Sequence, residues 1–536
     1  MAKRFGVMLD MSRNAVMKPA QVKKFAAILK KMGYNMIQLY TEDTYEIPDE
    51  PYFGYLRGRY SQAELKDIVA YCNSIGVEII PCIQTLAHLN SIFRWEPFSS
   101  AHDTADILLV DEDRTYELIE KMFASVRECF TTDYIHIGMD EAHSIGLGKF
   151  LEKHGMQNRF AILRRHLEKV IALAEKYNFK PIMWSDMFFR LANKGGYYLN
   201  DTDLVTDEVV SACPKGVDLV YWDYYRNNKN LFDIMFDAHA KFGCDTWFAG
   251  GVWTWQGFAP NNSWSIESMA SAMQSCSDKG IENIFMTMWG DNGKECSFYS
   301  ALPALFAIRK FYDGITDMNV IKQEFEKVLG ESYDALMLLE IPIDFGTARK
   351  ADTTPNKYLL YSDPFLSFLD VIELGELKEE YIDLAEKLEE AAKQSNYGYL
   401  FESQAALCRV LAIKYNLGSR TRTAYKSGNK PELEALLSDF DNAIKALEAF
   451  ISKFRNLWYE ENKPHGLEVH EIRLGGLLMR MRTCRERLAL YLSGKLPELP
   501  ELAEELLPYA LVGYRQGSGT PYFNNWSCAA TTNIIA

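Results

Sequence analysis

The sequence has no apolar run long enough to span a bilayer. No apolar signal core precedes its first expected strand, which starts near residue 5. Both lacks lead us to expect a cytoplasmic protein with no membrane partner. The sequon Asn525-Trp-Ser527 carries no weight without secretion. Paired cysteine motifs are missing too. Ten cysteines are scattered without CxxC or metal-ligand spacing, and Cys82 and Cys129 sit inside apolar stretches. Reduced core thiols, no metal and no cofactor are the expectation. Positive charge is short: 58 Lys and Arg against 73 Asp and Glu give a net charge of −15. Such a surface does not attract nucleic acid or anionic lipid. The chain also lacks a G-x-x-x-x-G-K-[ST] loop, so Asp140-Glu-Ala-His143 is not read as a helicase box.

What is present is a globular composition, 48% hydrophobic and 24% charged, over 536 residues. That length exceeds one ordinary core and predicts two domains. Strand-like stretches fall at 4–10, 35–40, 77–83, 134–138, 181–184, 217–222, 246–250 and 283–289, each followed by a helical pattern. Ser61 and Glu64 form a capping box, and Pro19 suits a first helical turn. Gly33, Gly76, Gly243 and Gly280 close helices just before strands. The fifth connection, 189–214, reads as irregular. Apolar strands alternating with helices predict an α/β fold, a (β/α)8 TIM barrel over 1–314. A doubly wound sheet is the runner-up, but no G-x-G-x-x-G follows the first strand.

After Gly314 the rhythm changes. A connecting segment is expected over 315–365, with 352–364 mostly polar around Pro355 and Pro364. The remainder, 366–536, predicts an α-helical bundle with an extended tail from 513. Leu433, Leu436, Phe440, Ile444, Leu447, Phe450 and Phe454 make one helical stripe.

The stretch Tyr134-Ile-His-Ile-Gly-Met-Asp-Glu-Ala-His143 is the chemical centre. An apolar strand runs into a glycine and two adjacent acids. Asp140 could cap the next helix with Glu141 in its first turn. Alternatively, the two acids do different work in different environments. In a (β/α)8 barrel the C-terminal strand ends carry the active site. Those ends here hold Asp10 and Arg13, then Tyr40, Glu42 and Asp43, then His88, then Asp140 and Glu141. Next come Trp184 and Asp186, Trp222 and Tyr224, Trp253 and Trp255, and last Trp289, Asp291 and Glu295. Five of the ten tryptophans lie at strand ends, which favours the functional reading. Indole faces with carboxylates and an arginine fork suit a sugar.

His136-Ile-Gly-Met-Asp-Glu141 resembles the H-x-G-x-D-E signature of the family 20 glycoside hydrolases, the β-N-acetylhexosaminidases. Gly6-Val-Met-Leu-Asp-Met-Ser-Arg13, Leu39-Tyr-Thr-Glu-Asp-Thr-Tyr-Glu46, Gln84-Thr-Leu-Ala-His88, Trp184-Ser-Asp186 and Met288-Trp-Gly-Asp-Asn-Gly-Lys-Glu295 resemble family segments in the family's order. The resemblance implies exo-acting, retaining hydrolysis of terminal β-linked N-acetylhexosamine glycans, with the substrate's acetamido oxygen as nucleophile and an oxazolinium intermediate. It implies that Glu141 is the acid and then the base, and that Asp140 holds the acetamido group. Arg13 would bind the 3- and 4-hydroxyls. His88 would link Glu141 to Glu42 or Asp43, an alternative left open. Trp184, Trp222 and Trp289 would wall the pocket. Asp291 would bind the 4- or 6-hydroxyl, with Glu295 in reserve. Read from the residues alone, Arg13 could instead be a structural ion-pair partner of Asp10, a supporting residue.

Many family members carry an N-terminal α/β domain, and we expect none here. The sequence has no tyrosine in Val252-Trp-Thr-Trp-Gln256, so the acetamido contact is moved to Tyr224. The helical region resembles that of shorter, unsecreted members. Forming a homodimer and covering the cleft both remain open for it. So does the choice between GlcNAc and GalNAc. Two rival functions are a metal-dependent barrel hydrolase using His88, His136, Asp140 and Asp186, and a non-catalytic glycan-binding barrel. Trp95 and Trp264 are expected to pack, His136 to be a buried structural residue, and His143 to sit on a helix.

Overall fold

Eight parallel strands close into a barrel. They are β1 (Arg4–Asp10), β2 (Met36–Tyr40), β3 (Glu78–Cys82), β4 (Tyr134–His136), β5 (Lys180–Trp184), β6 (Asp218–Trp222), β7 (Thr246–Gly251) and β8 (Asn283–Met288). The first strand closes the ring, pairing Gly6 with Met36 of β2 on one side and with Phe285 of β8 on the other. Every residue of β2 and β8 is buried, as expected where helices cover the outside and side chains fill the lumen. This computed structural model describes residues 2–343, 355–372, 374–507 and 526–535.

Ten helices follow the strands: α1 (Pro19–Lys31), α2 (Gln62–Ser74), α3 (Asp113–Cys129), α4 (Lys149–His154), α5 (Arg159–Lys176), α6 (Asp186–Ala192), α7 (Asp207–Ala212), α8 (Lys229–Ala240), α9 (Asn262–Asp278) and α10 (Leu302–Tyr312). The capping box opens α2: Ser61 Oγ accepts the Glu64 N–H at 3.2 Å, and Glu64 accepts the Ser61 N–H at 2.8 Å. The four helix-closing glycines all take positive φ. The fifth connection is the irregular one, with α6 and α7 as two short helices.

One local expectation fails. No helix begins at Asp140. The segment from 137 to 148 is a loop, and α4 starts at Lys149. Positive φ at Gly138, Met139 and Glu141 interrupts helical winding, so the two acids sit on a loop and not in a first turn.

The chain divides into two compact units. The first is Met1–Val252, Ser263–Trp289 and Ala304–Glu324. The second is Trp253–Asn262, Gly290–Pro303 and Phe325–Ala536. The helices α11 (Met318–Leu329), α12 (Tyr333–Met337) and α13 (Pro355–Tyr361) lie within the stretch expected to connect two domains. In α13, Tyr358, Leu359, Leu360 and Tyr361 are buried, an apolar run hidden between polar and proline flanks.

The helical unit is built on α14 (Lys378–Ala392), α15 (Gly398–Lys414), α16 (Leu417–Lys426), α17 (Lys430–Glu461) and α18 (Leu467–Leu492). Most of the α17 stripe is buried, Ile444 only partly. Most of the tail read as extended lies outside the described residues, but Trp526–Ala530 forms a short helix. Among the described residues no helix is long and apolar enough to cross a membrane.

Candidate active site

The loop after β4 is shaped by what it must avoid. A Cβ on Gly138 (φ +71°) would lie 2.1 Å from Gln84 Oε1, so no side chain fits there. Beyond it Met139 and Glu141 hold φ of 71° and 50°, and across the site Glu42 and His88 hold 44° and 58°. Left-handed backbone at a residue other than glycine costs roughly 1–3 kcal/mol and persists where surroundings over-determine it. Four such residues lie at the ends of three adjacent strands.

Gln84 fixes the first acid. Its Nε2 donates to Asp140 Oδ1 at 2.7 Å and meets the Tyr40 hydroxyl at 2.9 Å. Its Oε1 accepts the Met139 N–H at 3.1 Å. The Tyr40 hydroxyl donates to Glu42 Oε1 at 3.0 Å. The other Asp140 oxygen lies 3.1 Å from His88 Nε2. Asp140 is only 9% exposed.

Burial alone would favour a neutral Asp140. The adjacent His88 charge and the hydrogen bonds from His88 and Gln84 outweigh it and pull the carboxyl down to about 2. Burial would likewise favour a neutral His88, but Asp140 and then Glu42 hold its proton, up to about 10. The two form a buried ion pair. Glu42 is pushed upward by its own burial, a shift moderated by Arg13 and His88.

The second acid is placed differently. The Glu141 side chain is 41% exposed. Its N–H donates to Asp186 Oδ2 at 3.1 Å, and its Oε1 is 3.1 Å from Arg190 Nη2. Its Oε2 is 4.0 Å from His88 Nε2. Asp186 also accepts Arg190 Nε at 2.8 Å. Burial and then the Asp140 charge push Asp186 up to about 7, against the pull of Arg190. Adjacent residues thus differ in kind: one is a buried, locked carboxylate, the other a half-open carboxyl at the mouth.

Arg13 lies across the site, with Nε 3.4 Å from Asp10 Oδ2 and Nη1 3.5 Å from Glu42 Oε1. Asp10 is itself fixed by the Ser12 N–H and hydroxyl at 2.9 and 2.6 Å. Asp43 faces elsewhere. The Arg57 guanidinium grips both of its oxygens at 3.1–3.2 Å. Of the two acids, Glu42 is the one whose charge helps to raise His88, while Asp43 is taken by Arg57.

Aromatic rings close the barrel mouth. Trp289 meets Tyr40 edge-on at 4.9 Å and Trp184 at 6.1 Å. Trp184 rests on the His136 ring at 4.4 Å. Trp222 and Tyr224 stack at 5.3 Å, and Tyr224 hydrogen-bonds the Trp289 and Thr287 side chains. His136 is a buried structural residue: its Nδ1 accepts the Gly138 N–H at 3.1 Å, and burial drives the ring down to about 3. His143 lies in the loop, not on a helix.

Asp291, Glu295, Trp253 and Trp255 belong to the helical unit. Asp291 is half-buried on a short 3-10 turn. Glu295 is not open to a sugar. It is buried, 2.7 Å from Lys357 Nζ and 3.5 Å from Arg473 Nη1, an internal ion cluster that uses its charge. Trp253 and Trp255 stack on each other at 4.7 Å and are buried. Among the described residues no three His, Cys, Asp or Glu side chains are grouped to hold a metal ion. His88 is taken by Asp140, and His136 by Gly138.

Sequence reasoning passed over Gln84 as an individual residue, and Arg190 altogether. The second left a trace: Asp186 and Arg190 are four apart, the spacing that joins charges on one helical face.

Residues 4–221 match the model of the glycosyl hydrolase family 20 catalytic domain, and residues 334–518 match the glycoside hydrolase 20C C-terminal domain. The chain belongs to glycoside hydrolase family 20. The chain is similar to hexosaminidase D of Bos taurus, 25% identical over 233 residues, covering 41% of this chain and 62% of that protein. It is similar to Homo sapiens hexosaminidase D, 24% identical over 233 residues, covering 41% of this chain and 44% of that one. The chain thus spans less than two thirds of the length of either. A solved family 20 structure, the exo β-N-acetylglucosaminidase of Vibrio harveyi in complex with N-acetylglucosamine, is 14% identical with a TM-score of 0.46, covering 61% of this chain and 58% of that one.

Proposed function

We propose that this family 20 chain is an exo-acting, retaining β-N-acetylhexosaminidase that releases terminal GlcNAc or GalNAc by substrate-assisted catalysis. The observation that carries the reading is the unequal pair at the end of β4. Asp140 is buried, ionised and fixed through both oxygens, while Glu141 is half-open beside it. A general acid must reach the glycosidic oxygen, which suits Glu141. A carboxylate gripped like Asp140 suits a neighbour that gains positive charge, and is poorly placed to swing onto a carbon.

In the first step Glu141 gives its proton to the glycosidic oxygen as the bond to C1 breaks. The substrate's acetamido oxygen bonds to C1 and forms the oxazolinium, with Asp140 orienting the N–H and balancing the charge. In the second step water adds to C1, its proton passes to Glu141, and the ring reopens. Arg13 and the Trp184, Trp222 and Trp289 surfaces serve sugar recognition. Tyr224 backs Trp289. The ten unpaired cysteines fit a reducing compartment such as the cytoplasm.

The test compares wild type with Glu141→Gln on aryl β-GlcNAc, β-GalNAc and β-glucoside substrates. We expect cleavage of the acetamido sugars alone. With a poor leaving group the variant should be slower by roughly 10²–10⁴-fold, the usual worth of a general acid. Binding of acetamido sugars without cleavage by wild type would favour a glycan-binding barrel.

A further inference from the structure

Glu141 changes charge twice in each turnover, so whatever grips its carboxylate governs both steps. Two cationic groups face it. His88 stands 4.0 Å away and is already joined to Asp140 at 3.1 Å. Arg190 is closer, with Nη2 3.1 Å from Oε1. Its placement is not left to a free surface side chain. Its Nε donates to Asp186 Oδ2 at 2.8 Å, one turn earlier on α6, and its Nη1 donates to the Gly195 carbonyl at 3.1 Å. The guanidinium carbon lies 5.8 Å from the Trp222 ring centre and 5.9 Å from that of Tyr197.

The same Asp186 oxygen accepts the Glu141 N–H at 3.1 Å. One short helix therefore holds Glu141 at both ends, the backbone through Asp186 and the carboxylate through Arg190. The unfavourable φ of 50° at Glu141 requires such support.

We propose that Arg190, anchored by Asp186, is the positioning residue that aims the Glu141 carboxyl and balances its charge. The proposal rests on the hydrolase reading above. When Glu141 gives its proton to the glycosidic oxygen, the new carboxylate charge forms 3.1 Å from a guanidinium already in place. When it takes the proton from water, that attraction is released, and Asp186 keeps Arg190 from drifting. The ionisable groups around this point are Arg190 and Asp186 from α6, His88 from the loop after β3, Asp140 next in the chain, and Tyr197 against Arg190.

Three substitutions separate positioning from packing. Arg190→Gln removes both the cation and the fork, so kcat should fall by roughly 10²-fold, as a misplaced catalytic group does, while KM stays near wild type. Arg190→Lys keeps the charge but not the fork, so it should recover part of the lost kcat. Asp186→Asn keeps Arg190 and loosens its anchor, so kcat should fall less than in Arg190→Gln. A crystal structure of Arg190→Gln without ligand should show the Glu141 carboxyl displaced. A kcat for Arg190→Gln within a few-fold of wild type, no recovery in Arg190→Lys, or an undisplaced carboxyl would overturn the proposal. Failure of wild type to cleave any acetamido sugar would remove the hydrolase reading instead. The Glu141 position in the variant crystal would still decide whether Arg190 holds it.

Discussion

His88 Nε2 lies 3.1 Å from Asp140 Oδ2 and 4.0 Å from Glu141 Oε2, so the histidine serves the first acid before the second. The bond keeps Asp140 ionised in a site where burial alone would neutralise it. His88→Asn should therefore weaken catalysis through Asp140. We expect kcat on aryl β-GlcNAc to fall by roughly 10²–10³-fold, the cost of losing one preorganised electrostatic partner. Steady-state kinetics check this, and a variant within a few-fold of wild type would mean that His88 is a packing residue.

The same pair sets a pH window for stability. Asp140 is depressed to about 2, so its contribution is present above the ordinary aspartate value and is lost as pH falls through 2. His88 is raised to about 10, so its contribution is full below the ordinary histidine value and is lost as pH rises toward 10. Both are complete between about pH 4 and 6.5. The melting temperature of wild type relative to His88→Asn should be largest in that window and should shrink on either side. A difference that grows above pH 7 would contradict the assigned ion pair.

Gln84 offers a test that leaves every charged group in place. Its amide holds Asp140, Tyr40 and the Met139 N–H at once. Gln84→Leu should raise KM and lower kcat together while the fold survives, as circular dichroism would show. The Asp140 oxygen loses a donor, and the loop after β4 loses its brace, a loss of about 1–3 kcal/mol for an unsatisfied buried acceptor.

In the helical unit, Lys357 and Glu295 meet at 2.7 Å with side chains at most 1% exposed. Removing Lys357 leaves the buried Glu295 charge with only the longer Arg473 contact, at 3.5 Å. Lys357→Met should cost about 3–5 kcal/mol in unfolding free energy, whereas Lys357→Met with Glu295→Leu should recover much of it. Chemical denaturation of the two variants measures the difference, and equal loss in both would argue against the ion pair.

The barrel was legible in the sequence because eight apolar strands and their glycine stops repeat one local pattern. The acids at the ends of those strands were legible for the same reason. What remained hidden depended on side chains meeting across the chain. Asp43 and Glu42 are adjacent in sequence, yet one turns to Arg57 and the other lies beside Arg13. Glu295 follows the last strand like a site residue, but Lys357 claims it. The loop after β4 read as the start of a helix because an acid at an N-cap and an acid on a strained turn look alike in one dimension. Backbone φ at Met139 and Glu141 tells them apart.

The central claim is that the substrate's acetamido oxygen, and not Asp140, bonds to C1. The most direct measurement is kcat/KM for aryl β-glycosides whose acetyl group carries zero, one, two or three fluorines. Each fluorine weakens the carbonyl oxygen as a nucleophile, so the account predicts a steep, graded fall across the series and no cleavage of the β-glucoside. A flat series, with the β-glucoside cleaved at a similar rate, would make Asp140 the nucleophile and would contradict it.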